Sequence, residues 1–263
     1  MIPFVHLHVH SYYSILDGQA PVTKLVDKAI ADGMRGMALT DHGNMFGIKE
    51  LHDYCNGKNK DTTKRIKELK KQIKELEFGE QPEVVEIEKL KSELEETKRK
   101  LFVPIFGCET YVADGKLTEH KDKNDKGRHL ILLAKNEKGY HNLIKIVSKA
   151  WTDGFYAHPR TDHDELARYH EGLICSSACL GGEIPRLIMN GDVQKAKEVA
   201  LWYKGVFGDD YYLEIQRHKA TVPNANHETY EKQQQVNKVL IDMAHELGIK
   251  LICTNDSHFV NED

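Results

Sequence analysis

The sequence predicts an α/β protein, a seven-stranded (βα)7 barrel that carries an inserted helical hairpin. Short apolar runs alternate with amphipathic stretches along most of the chain, the pattern of repeated βα units. Seven such runs read as strands, a number that favours a closed barrel. The alternative is a doubly wound open sheet, but no GxGxxG or GxxxxGKS/T loop follows any run, so nucleotide binding in that style lacks support. The hairpin is predicted by composition, because positions 58–100 hold 24 charged side chains in 43 residues.

In chain order, strands are expected at Phe4 to Val9, Gly36 to Leu39, Val103 to Phe106, Leu130 to Ala134, Gly172 to Cys175, Tyr211 to Ile215 and Lys250 to Cys253. Helices are expected at Pro21 to Asp32, with proline in the first turn, and at Asn136 to Ala150, Asp192 to Phe207 and Glu228 to Leu247. In the charged segment, Ile66, Leu69, Ile73 and Leu76, then Ile87, Leu90, Leu94 and Leu101, follow heptad spacing with Thr97 in one slot. Two antiparallel helices joined by a turn at Phe78-Gly-Glu-Gln-Pro82 are expected there.

Net charge is −4, and without positions 58–100 the body carries six net negative charges. No basic field argues for nucleic acid, so any phosphate binding has to be local. Five cysteines at 55, 108, 175, 179 and 253 form no CxxC pair, which suits a reducing compartment. No apolar run reaches membrane-spanning length, so a cytoplasmic chain with no membrane partner is expected.

The chemistry is expected among the 15 histidines and nearby acids. In F-V-H-L-H-V-H-S, strand alternation would put His6, His8 and His10 on one face, and three buried imidazoles in a row point to metal. The last strand repeats the device with Asp256 and His258 in D-S-H. In A-L-T-D-H-G, His42 reads as a ligand, Asp41 as a group that orients an imidazole or faces the mouth, and Gly43 as a turn. Glu109 just past the third strand, Asp17 in Y-S-I-L-D-G and Cys179 in S-S-A-C-L-G-G are further candidates. His129 fits less well, because it opens its strand whereas barrel sites gather at strand C-terminal ends.

The ordered set H-L-H-V-H-S, Y-S-I-L-D-G, A-L-T-D-H-G-N, P-I-F-G-C-E-T-Y-V, R-H-L-I-L-L-A-K-N, G-F-Y-A-H-P-R, S-S-A-C-L-G-G-E and T-N-D-S-H-F resembles the polymerase and histidinol phosphatase (PHP) domain. It resembles most closely the form that opens bacterial C-family replicative polymerases. The resemblance covers 1–263 apart from the arm at 58–100. It implies one PHP domain over 1–263, a distorted seven-stranded barrel of the PHP type, with the polymerase domains outside this chain. It also implies up to three metals held at nine positions, which here are His8, His10, Asp17, His42, Glu109, His129, Cys179, Asp256 and His258. His6 falls outside the nine, behind the ligands or at the rim.

Three carboxylates and one thiolate in that set balance two divalent ions, and a third ion leaves the positive charge that a phosphodiester needs. Imidazole, carboxylate and thiolate together suit two to three Zn, Mn or Fe ions and disfavour Mg or Ca. Metal-assisted phosphoester hydrolysis is therefore expected, with His8, His10, Asp256 and His258 central to catalysis. The resemblance implies a DNA 3′ end as substrate, cut in the 3′ to 5′ direction as by a proofreading exonuclease, with the remaining polymerase chain and replisome subunits as partners. Arg160, Arg217 and His218 are candidates for phosphate contact. Two alternatives stay open: a metal-binding structural domain without turnover, and a free-standing phosphoesterase of the histidinol phosphatase type.

Overall fold

Buried aliphatic runs in this chain become strands, and the stripes between them become covering helices. The computed structural model describes residues 4–15, 17–78, 84–119, 125–219 and 228–261. Its first part runs α1 (Val22–Ala31), β1 (Gly36–Leu39), α2 (Ile48–Lys58), α3 (Lys60–Glu77), α4 (Val84–Lys98), β2 (Val103–Val112) and β3 (Arg128–Ala134). There follow α5 (Glu137–Thr152), β4 (Phe155–Tyr156), β5 (His158–Thr161), α6 (His163–Tyr169), β6 (Leu173–Ser176) and α7 (Glu183–Met189). The last elements are α8 (Val193–Phe207), β7 (Tyr211–Gln216), α9 (Glu228–Leu247) and β8 (Lys250–Thr254).

The strands form one curled sheet in the order β4-β5-β2-β3-β6-β7-β8, with β1 on β2. The pairs β1–β2, β6–β7 and β7–β8 are parallel, but β3 is antiparallel to both β2 and β6. A parallel return needs a crossover of about a dozen residues or more, usually a helix. No helix stands in the described part of the 113–127 connection, and β2 and β3 accordingly pair as a long hairpin. The expected third strand also runs on to Val112, which puts Glu109 inside it rather than just beyond.

The first predicted strand does not form. Residues 6–10 instead lie between the two sheet edges and make isolated bridges, His6 to Met37 on β1 and Val9 to Ser257 just past β8. The amides of Ala38 and Thr40 donate to the carbonyls of His6 and Val9 at 2.8 and 2.9 Å, and His10 donates to the Ser257 carbonyl at 2.8 Å. The chain bends at His8, and period-two alternation holds only while a backbone stays extended. Leu7 consequently packs against Ala38, Ile131 and Leu133, while His6 lines an outer cavity with Lys28, Asp32 and Met37. His8 and His10 are fully buried, and the expectation that His6 shares their face is corrected.

The main core joins Leu143 and Ile146 of α5, Ala200 and Tyr203 of α8 and Leu240 and Met243 of α9 to Leu132, Cys175 and Leu213 of the sheet. Each such buried aliphatic side chain contributes about 1.5–3 kcal/mol. A second cluster seats α1 through Leu25 and Val26 on Val9, Met37 and Leu39.

The arm has its own core of Leu69, Ile73, Ile87, Leu90 and Leu94, with Ile66 and Leu76 packed on it; these are positions that the heptad spacing selects, but Leu101, also selected, lies beyond the end of α4 and outside this core. The expected turn lies, beyond Phe78, outside the described residues. At its base the Asn59 side chain takes both backbone groups of Phe102, accepting from its N–H at 2.9 Å and donating to its carbonyl at 2.8 Å. This clasp closes the arm where it meets β2. Replacing residues 60–99 by a short Gly/Ser linker is therefore expected to leave the body folded, since closure entropy grows slowly with loop length. Circular dichroism and thermal melting check this, and loss of the cooperative transition would show that the arm is part of the body.

Candidate metal centre

The inverted direction of β3 explains why His129 belongs to a site. Because β3 runs against its neighbours, its first residues lie at the sheet end where β2 and β6 finish, and His129 pairs with Tyr111 near the end of β2. His129 Nδ1 reaches Glu109 Oε1 at 2.9 Å and Cys179 Sγ at 3.4 Å. The other candidates arrive from different elements. His8 and His10 come from the edge-joining segment, Glu109 from β2, His42 from just beyond β1, and Asp256 and His258 from beyond β8.

Asp256 Oδ1 lies 3.1 Å from His8 Nε2 and 3.2 Å from His10 Nε2. Glu109, fully buried, stands 3.2 Å from His8 Nε2 and 2.5 Å from His42 Nδ1. His42 Nε2 meets Asp17 Oδ2 at 3.0 Å, and His258 Nε2 is 3.8 Å from the same oxygen. Three ligand sets result, His8–His10–Asp256, His10–His42–His258 and Glu109–His129–Cys179, each with its atoms within 4.8 Å of one another. All nine predicted ligand positions are thus brought into one connected cluster.

The donor set fits a cation by a test independent of resemblance. His8 Nε2, His10 Nε2, His42 Nδ1, Glu109 Oε2 and Asp256 Oδ1 are buried, and they face one another with no hydrogen-bond partner outside the cluster. Buried ionisable atoms left to one another in this way are rare and costly, and these five converge on one space. Burial alone would lower the His8 pKa, but Asp256, Glu214 and Glu109 outweigh it and hold the ring well above its ordinary value. His42 behaves likewise, since Glu109 and Asp17 overcome desolvation and raise it to about 9. Desolvation would raise the Glu109 carboxyl, yet His129 and His8 keep it well below the usual range. Burial, reinforced by Glu109 and Asp256, pushes the Cys179 thiol well up, so the thiolate that a metal takes forms only with a cation beside it.

Residues behind the cluster fix its imidazoles, and two were missed in the sequence. His8 Nδ1 lies 2.8 Å from Glu214 Oε1, a buried carboxylate that also accepts from Ser176, Gln216 and Thr254. A carboxylate only accepts, so His8 Nδ1 donates, and Nε2 is the nitrogen turned to the cluster. Ser14 Oγ donates to Asp41 Oδ1 at 2.8 Å and therefore accepts from His10 Nδ1 at 2.9 Å. Asp41 reaches the His10 imidazole only through Ser14. Glu214 and Gln216 alternate in Y-L-E-I-Q on β7, the same i, i+2 signal as Asp256 and His258, and that pattern could have found Glu214.

Two backbone positions are left-handed next to candidate ligands, Ala178 (φ 59°) before Cys179 and Asp256 itself (φ 48°). The bend at Asp256 lets its carbonyl lie 3.0 Å from His258 Nδ1.

The phosphate-contact candidates fare differently. Arg160 is fully buried, and its guanidinium donates to Asp125 Oδ2 at 2.6 Å and to the Glu119 and Leu117 carbonyls at 2.9 and 3.2 Å. It ties down the 113–127 connection, and its expected phosphate contact is corrected. Arg217 is exposed, and the His218 amide donates to Gln233 Oε1 at 2.7 Å. Neither makes a hydrogen bond or ion pair to the nine.

A curled α/β sheet with a histidine–carboxylate–cysteine cluster at one end is the pattern of a PHP domain, and residues 6–218 match that family. The chain belongs to the PHP family. In sequence it is similar to DNA polymerase III subunit alpha of Borreliella burgdorferi, 39% identical over 262 residues, which are 99% of this chain and 18% of that one. The Treponema pallidum subunit alpha is 36% identical over 263 residues, again 99% of this chain and 18% of the relative. The chain therefore spans about a fifth of the length of the curated relatives it matches. Among solved structures, a Bifidobacterium adolescentis protein assigned as a metal-dependent phosphoesterase shares 13% identity and a TM-score of 0.49 over 98% of this chain and 89% of that one, a likeness too loose to bear on function. Among the described residues no helix is long and apolar enough to cross a membrane.

Two measurements probe the cluster. Because His42 titrates at about 9 in the metal-free protein, a cation has to displace its proton at neutral pH. Zn or Mn affinity is expected to rise with pH through the range in which His42 loses its proton, with proton release seen by calorimetry in buffers of different ionisation enthalpy. By the same raised pKa, His42 stabilises the metal-free fold fully below about 6.5 and loses that contribution as pH rises through about 9. Glu214→Gln should lower metal affinity about 10–100-fold and destabilise the fold by roughly 1–3 kcal/mol, read by metal titration and melting. Unchanged affinity would leave Glu214 with no role at His8.

Proposed function

We propose that this chain is the PHP domain of a DNA polymerase III alpha subunit and catalyses metal-dependent phosphoester hydrolysis, removing nucleotides from a DNA 3′ end in the 3′ to 5′ direction. In this reading residues 1–263 are one domain. Residues 4–10 serve as the seventh stave of a distorted barrel beside β1, β2, β3, β6, β7 and β8, and 58–100 is an insertion. The remaining polymerase chain and replisome subunits are its partners. The observation that carries the reading is the set of five buried ligand atoms, with no hydrogen-bond partner outside the cluster, converging between three potential ligand triads.

The nine residues would hold two or three divalent Zn, Mn or Fe ions. When bound, such ions polarise a phosphoester and supply a water-derived nucleophile at neutral pH. The chain's own residues prepare the place. Glu214 fixes His8 with Nε2 inward, the Asp41–Ser14 pair fixes His10, and the exposed Asp17 stands at the mouth beside His42 and His258. No side chain is placed as a covalent nucleophile. Similarity to polymerase subunits along nearly the whole chain favours this reading over a free-standing phosphatase.

A second reading has its own observation: His8, His10 and Asp256 lie on the segments that join the sheet edges, so bound metal could act as a structural clamp without turnover. Release of 3′ nucleotides from single-stranded or mismatched DNA separates the two, with Mn or Zn and with Asp256→Asn and His10→Ala compared to the parent chain. Both variants are expected to stay folded and lose more than about tenfold of the rate. Metal analysis of protein purified without chelator should give two to three ions per chain, and a chelator should lower the melting temperature. Bound metal with equal release by all three proteins would indicate a contaminant and favour the clamp.

A further inference from the structure

Three large aromatic side chains stand in solvent at the lip of the cluster, where folded domains usually bury such groups. Phe46 is 59% exposed, Trp151 43% and Phe155 52%. They come from the turn after β1, the end of α5 and β4, yet they form one run. The Phe46 and Trp151 rings are 6.4 Å apart, and Trp151 and Phe155 are 5.5 Å apart with their planes inclined by 21°.

The run is anchored to the site. Trp151 Nε1 donates to the Gly43 carbonyl at 2.8 Å, and Gly43 directly follows His42, with its own amide donating to the Glu109 carbonyl at 2.8 Å. Gly43 is left-handed, and a Cβ there would come within 2.6 Å of Pro159, so the lip that carries Trp151 packs closely at a position that needs glycine. Nearby, Tyr111 stacks on His158 with centroids 4.5 Å apart. Lys126 is exposed, close enough to His158 to bear on its charge, and has no ion-pair partner among the described residues.

We propose that Phe46, Trp151 and Phe155 are a stacking platform for the unpaired bases of a single-stranded DNA whose 3′ end enters the cluster, with Lys126 facing its backbone. This rests on the hydrolase reading for the identity of the strand, but it is testable without turnover. A body with six net negative charges holds a polyanion poorly through its overall field. Aromatic faces supply attraction that needs neither that field nor a particular sequence, since every base has a π-face. Bases in a duplex are already stacked, so the platform selects frayed or mismatched ends.

The test uses the 263-residue protein as purified, with a 5′-labelled oligothymidylate whose 3′ linkages resist hydrolysis and a length-matched abasic oligomer. The thymidylate is expected to quench tryptophan fluorescence and to bind Trp151→Ala roughly 5- to 100-fold more weakly. Trp151→Phe, which keeps a ring but loses the bond to Gly43, should recover most of that affinity, and Phe155→Ala, which leaves the bond intact, should weaken binding. Turnover of bis(p-nitrophenyl) phosphate, which has no base, reports the cluster alone and should persist in Trp151→Ala. Equal binding of abasic and thymidylate oligomers, or equal weakening by Trp151→Phe and Trp151→Ala, would overturn the platform even if DNA hydrolysis were present. An inactive parent chain that still bound thymidylate through Trp151 would sustain the platform and count against the hydrolase.

Discussion

One buried carboxylate organises this end of the molecule. Glu109 has no solvent exposure, yet it is held ionised, and an anion in that position is tolerable only when positive charge stands beside it. In the bare protein neighbouring imidazoles supply the charge, His129 and His8 foremost. Cations compete for the same space, so the raised imidazole pKa values and the capacity for metal are one electrostatic fact. Asp256 and Glu214 extend the arrangement by enclosing His8 between carboxylates on both ring nitrogens.

Several departures from regular structure serve that convergence. The β2–β3 hairpin turns β3 over and brings His129 to the end where Cys179 follows β6. The bend at His8 lets two imidazoles enter the interior in the space of three residues. Left-handed backbone at Ala178 and Asp256 costs about 1–2 kcal/mol each, with Asp tolerating it better than Ala. In both places the local cost accompanies a candidate ligand, which would be turned elsewhere by a regular strand exit.

Much of this was legible because chemistry-bearing residues cannot be hidden in a strand. The pairs His8/His10 and Asp256/His258, and the A-L-T-D-H-G turn, announce themselves by spacing, and the arm's apolar heptads fall on the positions that pack. Other features depend on tertiary context that no local pattern encodes. Period two misassigned His6 because the bend at His8 comes from two separate edges pulling on one segment. Arg160 read as a phosphate contact, but its partners Leu117, Glu119 and Asp125 are about 40 residues away in sequence, and the side chain is fully buried. Helix α2 and the β4–β5 hairpin were missed because their stripes are short and become evident only against their neighbours. Glu214 was overlooked although its spacing with Gln216 carried the signal.

The bridges at residues 6–10 bear on how the domain is made. Val9 meets Ser257, so residues 6–10 have no final place until the segment beyond β8 has been made, roughly 12–50 s later at ordinary elongation rates. Until then His8 and His10 lack their partners at the far edge, able to bind stray metal ions but unable to complete a site. The candidate ligands come together only once residue 258 has been made, and contacts that close over so long a separation form slowly. A cell making this protein has to keep an imidazole-rich segment unengaged through that interval.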